Sequence, residues 1–246
     1  MRRLLVLAGT AEARALCTAL ANHPAWEVIA ALAGATDAPA ALPVETRTGG
    51  FGGAAGLAEW LRRERIAAIV DATHPYAARI SANAVEAAAR AGLPLLRLER
   101  PPWIRPANAI WHEVANLEAA AAAVPSGARA LLSTGARDLG PFAARADVWW
   151  LLRAISPPGG DFPLPQGVAI PARLPLVSAE EEELMRAHRI SHLVTRNAGG
   201  DATRAKIDAA ARLGLTTVIL IRPALPPANT VKTVADAQTW LAEVLP

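Results

Sequence analysis

The sequence predicts an α/β protein of two lobes, each a parallel sheet with helices on both faces. Short apolar runs alternate with longer alanine-rich amphipathic stretches, the pattern of β-α-β units. A segment of the first half also recurs in the second at an offset of 122 residues. AAARAGLPLLRLERP from Ala87 and AAARLGLTTVILIRP from Ala209 share 9 of 15 residues, and 5 of 11 remain identical without the alanine-rich start. The same offset sets Thr73 on Thr195. In each lobe, then, a strand ends in threonine, enters a helix and leads through Gly-Leu to a strand ending in Arg-Pro. With a four-residue shift, LLVLAG (residues 4–9) matches ALLSTG (residues 130–135).

The elements follow in order. Residues 4–8 form the first strand, because this apolar run is too short for a signal sequence and ends in Gly9-Thr10. A helix over 11–22 precedes strands at 27–32 and 44–46, a helix at 57–64 and a strand at 67–71. The helix at 77–91 is stopped by Gly92 before the strand at 94–98. Pro101, Pro102 and Pro106 then break regular structure and divide the chain into lobes 1–106 and 107–246. The second lobe opens with a strand at 110–114, a helix at 117–124 and a strand at 130–133. Strands at 148–152, 192–195 and 217–221 and helices at 179–188, 203–213 and 235–244 complete it. Ser178 and Glu181 have capping-box spacing, which places the run from Glu180 to Glu183 in a first turn facing water. Residues 157–175, rich in proline and glycine, have no period and read as a long loop over the cleft. Each lobe is therefore Rossmann-like, with ligands expected beyond the carboxyl ends of the strands, in a cleft between two such edges.

Composition bounds the function. A chain of 246 residues with 52% hydrophobic and 19% charged residues buries a large core, which excludes disorder. The net charge of +3 has no clustered basic stripe, so nucleic acid is not an expected partner. Arginine outnumbers lysine 23 to 2. This excess reads either as bidentate carboxylate or phosphate contacts or as a general bias toward alanine, arginine and proline. The single cysteine, Cys17, makes neither an internal disulfide nor a thiolate zinc cage and fits a cytoplasmic protein. No window approaches the roughly 18 apolar residues of a membrane span. Nothing in the sequence fixes an oligomeric state.

Gly9-Thr10-Ala11-Glu12-Ala13-Arg14 lies where the first strand turns into a helix, so backbone N–H groups and the positive helix end can hold a phosphate. The alternative is Thr10 as a plain N-cap. Only Gly9 of a G-x-G-x-x-G pattern is present. No acidic residue closes the second strand at Ala33 or Gly34, where NAD-specific sites hold the ribose 2′-OH, and this favours NADP. Arg47, with Gly49, Gly50 and Phe51, can meet a 2′-phosphate or can form a surface turn. With Arg14 and Thr73 these residues make up the candidate cofactor set.

Asp71-Ala72-Thr73-His74-Pro75-Tyr76-Ala77 falls at the end of the fourth strand. His74 and Tyr76, the only tyrosine, are candidates for orienting a substrate or transferring a proton. In the alternative, Thr73 caps, Pro75 sits in the first helical turn and Tyr76 packs. The equivalent loop of the second lobe offers the Arg196 guanidinium, the Asn197 amide and the Gly199-Gly200 backbone to an anion. With Thr134 and Gly135 they are the candidate substrate set. Other chemistries fail on inventory. Lys206 and Lys232 follow Ala205 and Val231, so no G-K-[ST] phosphate loop exists. Ile80 stands where a Tyr-x-x-x-Lys pair needs lysine, His188 and His192 lack a third metal ligand, and there is no G-x-S-x-G elbow.

The phrases GTAEAR, DATHPYA followed by Ile80-Ser81-Ala82-Asn83-Ala84, RLERPPW (residues 97–103), TRNAGG leading to Lys206-Ile207, and Ile221-Arg222-Pro223 resemble the precorrin-6A reductases of cobalamin biosynthesis. The resemblance spans nearly the whole chain, and DATHPYA followed by RLERPPW is its specific part. It implies NADPH-dependent reduction of one double bond in precorrin-6A, or its cobalt form, giving precorrin-6B. NADPH would sit on the first lobe and the carboxylate-fringed tetrapyrrole on the second, with His74 and Tyr76 as positioning groups. The chain departs from the family at Ala8, often glycine, and at Arg196, often lysine, where the charge is kept. Two other readings stand beside it. A non-catalytic two-lobed protein for a nucleotide or anionic metabolite would not oxidise NADPH when precorrin-6A is added. A reductase of another carboxylated substrate would bind cofactor without corrinoid turnover.

Overall fold

β1 (Arg2–Leu7) turns Leu4 and Val6 to one face and Leu5 and Leu7 to the other, all buried. Burial on both faces is the mark of a central strand in a parallel sheet. The computed structural model describes residues 1–33, 41–156 and 161–244. After β1 come α1 (Ala11–Leu20), β2 (Trp26–Leu32), β3 (Glu45–Thr48), α2 (Gly53–Arg63), β4 (Ile66–Asp71), α3 (Ala78–Ala91) and β5 (Leu95–Leu98). The second run comprises β6 (Ile110–Val114), α4 (Leu117–Ala122), β7 (Arg129–Ser133), α5 (Gly140–Ala143), β8 (Trp149–Ala154), β9 (Gly167–Pro171), α6 (Ser178–Ala187), β10 (His192–Arg196), α7 (Ala205–Arg212) and β11 (Thr216–Leu220). β12 (Asn229–Val231) and α8 (Val234–Val244) close the chain.

Two six-stranded sheets result, ordered β12-β5-β4-β1-β2-β3 and β6-β11-β10-β7-β8-β9, with every pairing parallel. Each is the doubly wound order in which direction reverses once, between β1 and β4 and between β7 and β10. In the first unit Leu16, Cys17 and Leu20 of α1 and Ala237 and Leu241 of α8 pack on one sheet face. Leu57 and Leu61 of α2 and Ala84, Ala87 and Ala88 of α3 cover the other. Burial pushes the Cys17 thiol up to about 11, so it stays protonated at neutral pH. In the second unit Met185 of α6 and Ile207, Ala209 and Ala210 of α7 pack on Leu131, Leu151, Leu193 and Ile219. No helix among the described residues is long and apolar enough to cross a membrane.

The expected division at residue 106 needs correction. One unit is Met1–Pro101 together with the chain from Pro223 onward, and the other is Pro102–Arg222. The sixth strands are exchanged relative to the repeat. β6 follows β5 but pairs with β11, whereas β12 follows β11 and pairs with β5, Asn229 beside Leu96 and Val231 beside Leu98. α8 therefore belongs to the first unit, and both crossings occur at the Arg-Pro ends of the repeated strands.

Two local expectations also change. The segment expected to be a loop over 157–175 contains β9, whose Gly167 sits beside Trp150; a Cβ there would lie 1.8 Å from the Trp150 carbonyl oxygen. Residues 157–160 of that segment, and Gly34, lie outside the described residues. Ser178 is the first residue of α6 and not its cap, and Val177 precedes the helix with no side-chain cap. Glu181 does not face water. It is 1% exposed and pairs with Arg153 at 2.9 Å.

Candidate functional site

The reversal point of the first sheet brings the turn after β1 beside the turn after β4. Thr10 caps α1 by accepting from the Ala13 N–H (3.1 Å) and donates its hydroxyl to the Ala72 carbonyl (2.8 Å), so it ties the two turns together. Ala11 and Glu12 lie in the first helical turn, where no helical carbonyl reaches their N–H groups. Gly9 has φ +154°, a conformation that side chains rarely adopt, and a Cβ built on it would meet nothing within 4 Å. The space on that side of Gly9 is therefore open. Arg100 pairs with Glu12 at 2.7 Å and offsets the one acidic group in that turn. Arg14 donates to the Ala41 carbonyl.

Arg47 lies in β3, not after it. Its guanidinium stacks 3.9 Å from the Phe51 ring centroid and donates to the carbonyls of Gly49 and Gly50. Trp60 meets Phe51 edge-on at 5.2 Å. A planar cation fixed in this way loses little further entropy when it meets a phosphate.

The loop after β4 is held from below. Asp71 Oδ1 accepts from the Thr73 N–H (3.2 Å) and hydroxyl (2.7 Å), and Thr73 Oγ1 lies 3.3 Å from Ser81 Oγ. The Thr73 side chain is therefore engaged within the loop. Arg97, beside Asp71 in the sheet, is buried with its Nε 3.7 Å from Asp71 Oδ2. The pair lines a narrow crevice together with Thr73, His74, Ser81 and Glu99. His74 Nδ1 accepts from the Tyr76 N–H at 3.3 Å, which places the proton of a neutral ring on Nε2. The two half-buried rings lie 5.7 Å apart.

In the second unit the loop after β10 is clamped on three sides. Asn197 Oδ1 accepts from the Trp103 N–H at 2.7 Å, and its Nδ2 donates to the Trp103 carbonyl at 3.3 Å. The Trp103 indole N–H donates to the Gly200 carbonyl at 2.7 Å. Arg222 donates to the carbonyls of Asn197 and Ala198. Gly199 and Gly200, at φ +70° and +72°, make the left-handed bend that lets these contacts coexist. Arg196 ends β10 half-buried at the edge. Across the reversal point Thr195 Oγ1 donates to the Ser133 carbonyl at 3.4 Å. Thr134 is buried, its hydroxyl without a hydrogen-bond partner among the described residues, and a Cβ on Gly135 would meet nothing within 4 Å.

The candidate residues thus gather at the carboxyl edge of their own sheets: Gly9, Thr10, Thr73, His74 and Tyr76 on the first, Thr134, Gly135, Arg196, Asn197, Gly199 and Gly200 on the second. Arg47, Gly49, Gly50 and Phe51 form a separate cluster at the carboxyl end of β3. Sequence reasoning assigned no role to Asp71, Arg97, Trp103, Ser133, Lys206 or Arg222, which hold these loops in place. For Lys206 a signal existed, since helical spacing puts it on one face with the apolar Ala209 and Ala210.

Fold and site together define a doubly wound α/β protein of two units, with a glycine-containing loop at the reversal point of each sheet. Among known proteins, the family model described as "Precorrin-6x reductase CbiJ/CobK" matches residues 3–242. A precorrin-6A reductase of Rhodococcus erythropolis is 48% identical over 244 residues, covering 98% of each chain. One from Rhodobacter capsulatus is 44% identical over 244 residues, 99% of this chain and 97% of its own. A solved structure described as CobK precorrin-6A reductase superposes with a TM-score of 0.93 at 44% identity, covering 100% of this chain and 98% of the other. The chain belongs to the precorrin-6x reductase family.

Proposed function

We propose that this chain reduces precorrin-6A to precorrin-6B with NADPH, in the cytoplasm, the first unit holding the cofactor and the second the tetrapyrrole. The observation that carries the cofactor reading is the Arg47 guanidinium, stacked on Phe51 and fixed by the Gly49 and Gly50 carbonyls. With the open helix end after β1, it supplies two places for the phosphates of one dinucleotide. Ala11 and Glu12 N–H groups hold the pyrophosphate and Arg47 holds the 2′-phosphate. NADPH, when bound, supplies the hydride. The protein's own work is positioning. Asp71 and Thr73 fix the loop that presents His74 and Tyr76, and these rings orient the reacting partners and exclude water. Arg196 and the Gly199-Gly200 backbone take carboxylates of the substrate, with Asn197 acting through the loop it clamps.

Two outcomes test the assignments. A hydrogen bond to a charged group contributes about 1.5–3 kcal/mol, or about 10- to 150-fold. Arg47→Ala should therefore weaken NADPH binding by about 10- to 150-fold and leave NADH binding within about twofold. Calorimetry on both cofactors checks this, and equal losses for the two would remove the 2′-phosphate assignment. Arg196→Ala should raise KM for precorrin-6A by about 10- to 150-fold, with the KM for NADPH unchanged. A substrate KM within twofold of the parent would refute it. The binding-protein reading gains no specific support from the site.

A further inference from the structure

Lys206 is the second residue of α7, and its side chain points down against the sheet, where it is 5% exposed. Its ammonium donates to the Ser133 hydroxyl at 2.8 Å and lies 5.5 Å from the centroid of the Trp103 ring. A buried cation with one neutral hydrogen-bond partner is costly, and proteins seldom retain one without a counter-charge. The nearby carboxylate is Glu181 of α6; its Oε1 accepts from Arg153 of β8 at 2.9 Å, and its buried Oε2 has no hydrogen-bond partner among the described residues, Lys206 included. Arg204, the residue before α7, pairs with Asp208 within it. Lys206 and Arg153 therefore share one carboxylate, Glu181.

Ser133 stands between that charge and the edge. It is the last residue of β7 and half-buried. An ammonium only donates, so Ser133 Oγ must accept from Lys206 and its own proton must point to another acceptor. We propose that Ser133 donates this proton to a carboxylate oxygen of the tetrapyrrole, and that Lys206 is the positioning residue that fixes the hydroxyl as a donor. The assignment rests on the reading of the second unit as the substrate unit. A carboxylate there would also supply the missing negative charge. Burial already holds the Lys206 amine at about 8, against the opposing field of Glu181, so its protonation responds to a nearby anion within an accessible pH range.

The chain has two lysines, Lys206 and the exposed Lys232, and in protein carrying ¹³C at the lysine ε position each titrates as a separate NMR signal. The signal lost in Lys206→Arg is that of Lys206. Saturating the unmodified chain anaerobically with precorrin-6A, without NADPH, should raise the Lys206 midpoint by about half a unit or more, because a nearby anion favours the charged amine. Ser133→Ala should abolish that rise and increase the KM for precorrin-6A by about 10- to 100-fold. Lys206→Met combined with Ser133→Ala should be no worse than Ser133→Ala alone, since the two act as one unit. An unchanged Lys206 midpoint in the saturated chain, or a Ser133→Ala KM within twofold of the parent, overturns the assignment. The midpoint is read on the unmodified chain, so the test stands even if Lys206→Met does not fold. If precorrin-6A leaves both signals unchanged and its own absorbance shows no binding, the substrate reading falls, and this assignment with it.

Discussion

Glu181→Ala should lower the unfolding free energy by about 3–5 kcal/mol, the cost of leaving one partner of a buried ion pair uncompensated. The carboxylate is 1% exposed, and its partner Arg153, 2.9 Å away, is 13% exposed. Glu181 also supplies the negative field felt by Lys206, so its removal leaves two buried cations. The exposed pair Glu86–Arg90, one helical turn apart on α3, provides the contrast, because such pairs contribute about 0.3–0.5 kcal/mol. Urea denaturation of both alanine variants measures the difference. A Glu181→Ala loss below about 1 kcal/mol would show that this pair is not the buried anchor its burial implies.

Stability should rise with pH between about 8 and 10.5 through Lys206. The buried amine loses its proton near 8 in the folded chain and at 10.5 when exposed. Within that window the unfolded state binds more protons, which makes the slope of stability against pH positive. Below about 8 the penalty for the buried charge is constant; above 10.5 it is gone, and the whole change is on the order of 3 kcal/mol. Cys17 acts in the opposite sense, because its thiol ionises at about 11 when folded and near 9.0 when exposed. The difference between the parent and Lys206→Met isolates the lysine. The stability of the parent relative to Lys206→Met should increase as pH rises from 7.5 to 10.5, and a constant difference would contradict the burial of the charged amine.

The repeat at 122 residues made the two doubly wound units legible, together with the alignment of Thr73 on Thr195. The exchange of sixth strands was not legible, because apolar content records that a strand is buried and not which sheet receives it. β9 was hidden for the opposite reason, its residues being only partly buried and its neighbours proline and glycine. The turn at Gly9-Thr10 was readable from strand-to-helix punctuation. Arg47 was readable as a cation near a turn, but its stacking on Phe51 depends on packing. Asn197 looked like a ligand group because an amide offers the same donor and acceptor to a substrate as to a neighbouring backbone, here that of Trp103. Glu181 satisfied a capping pattern and a core position at once. Its spacing from the buried Met185, four residues on, was the signal that pointed inward.

The most direct test of the account is a single anaerobic mixing of the chain with NADPH and precorrin-6A, followed by absorbance and mass. The account predicts oxidation of one NADPH for each macrocycle consumed and a product heavier by two hydrogen atoms. Contradiction would come from a folded chain that binds both NADPH and precorrin-6A, as shown by calorimetry, and leaves both unchanged.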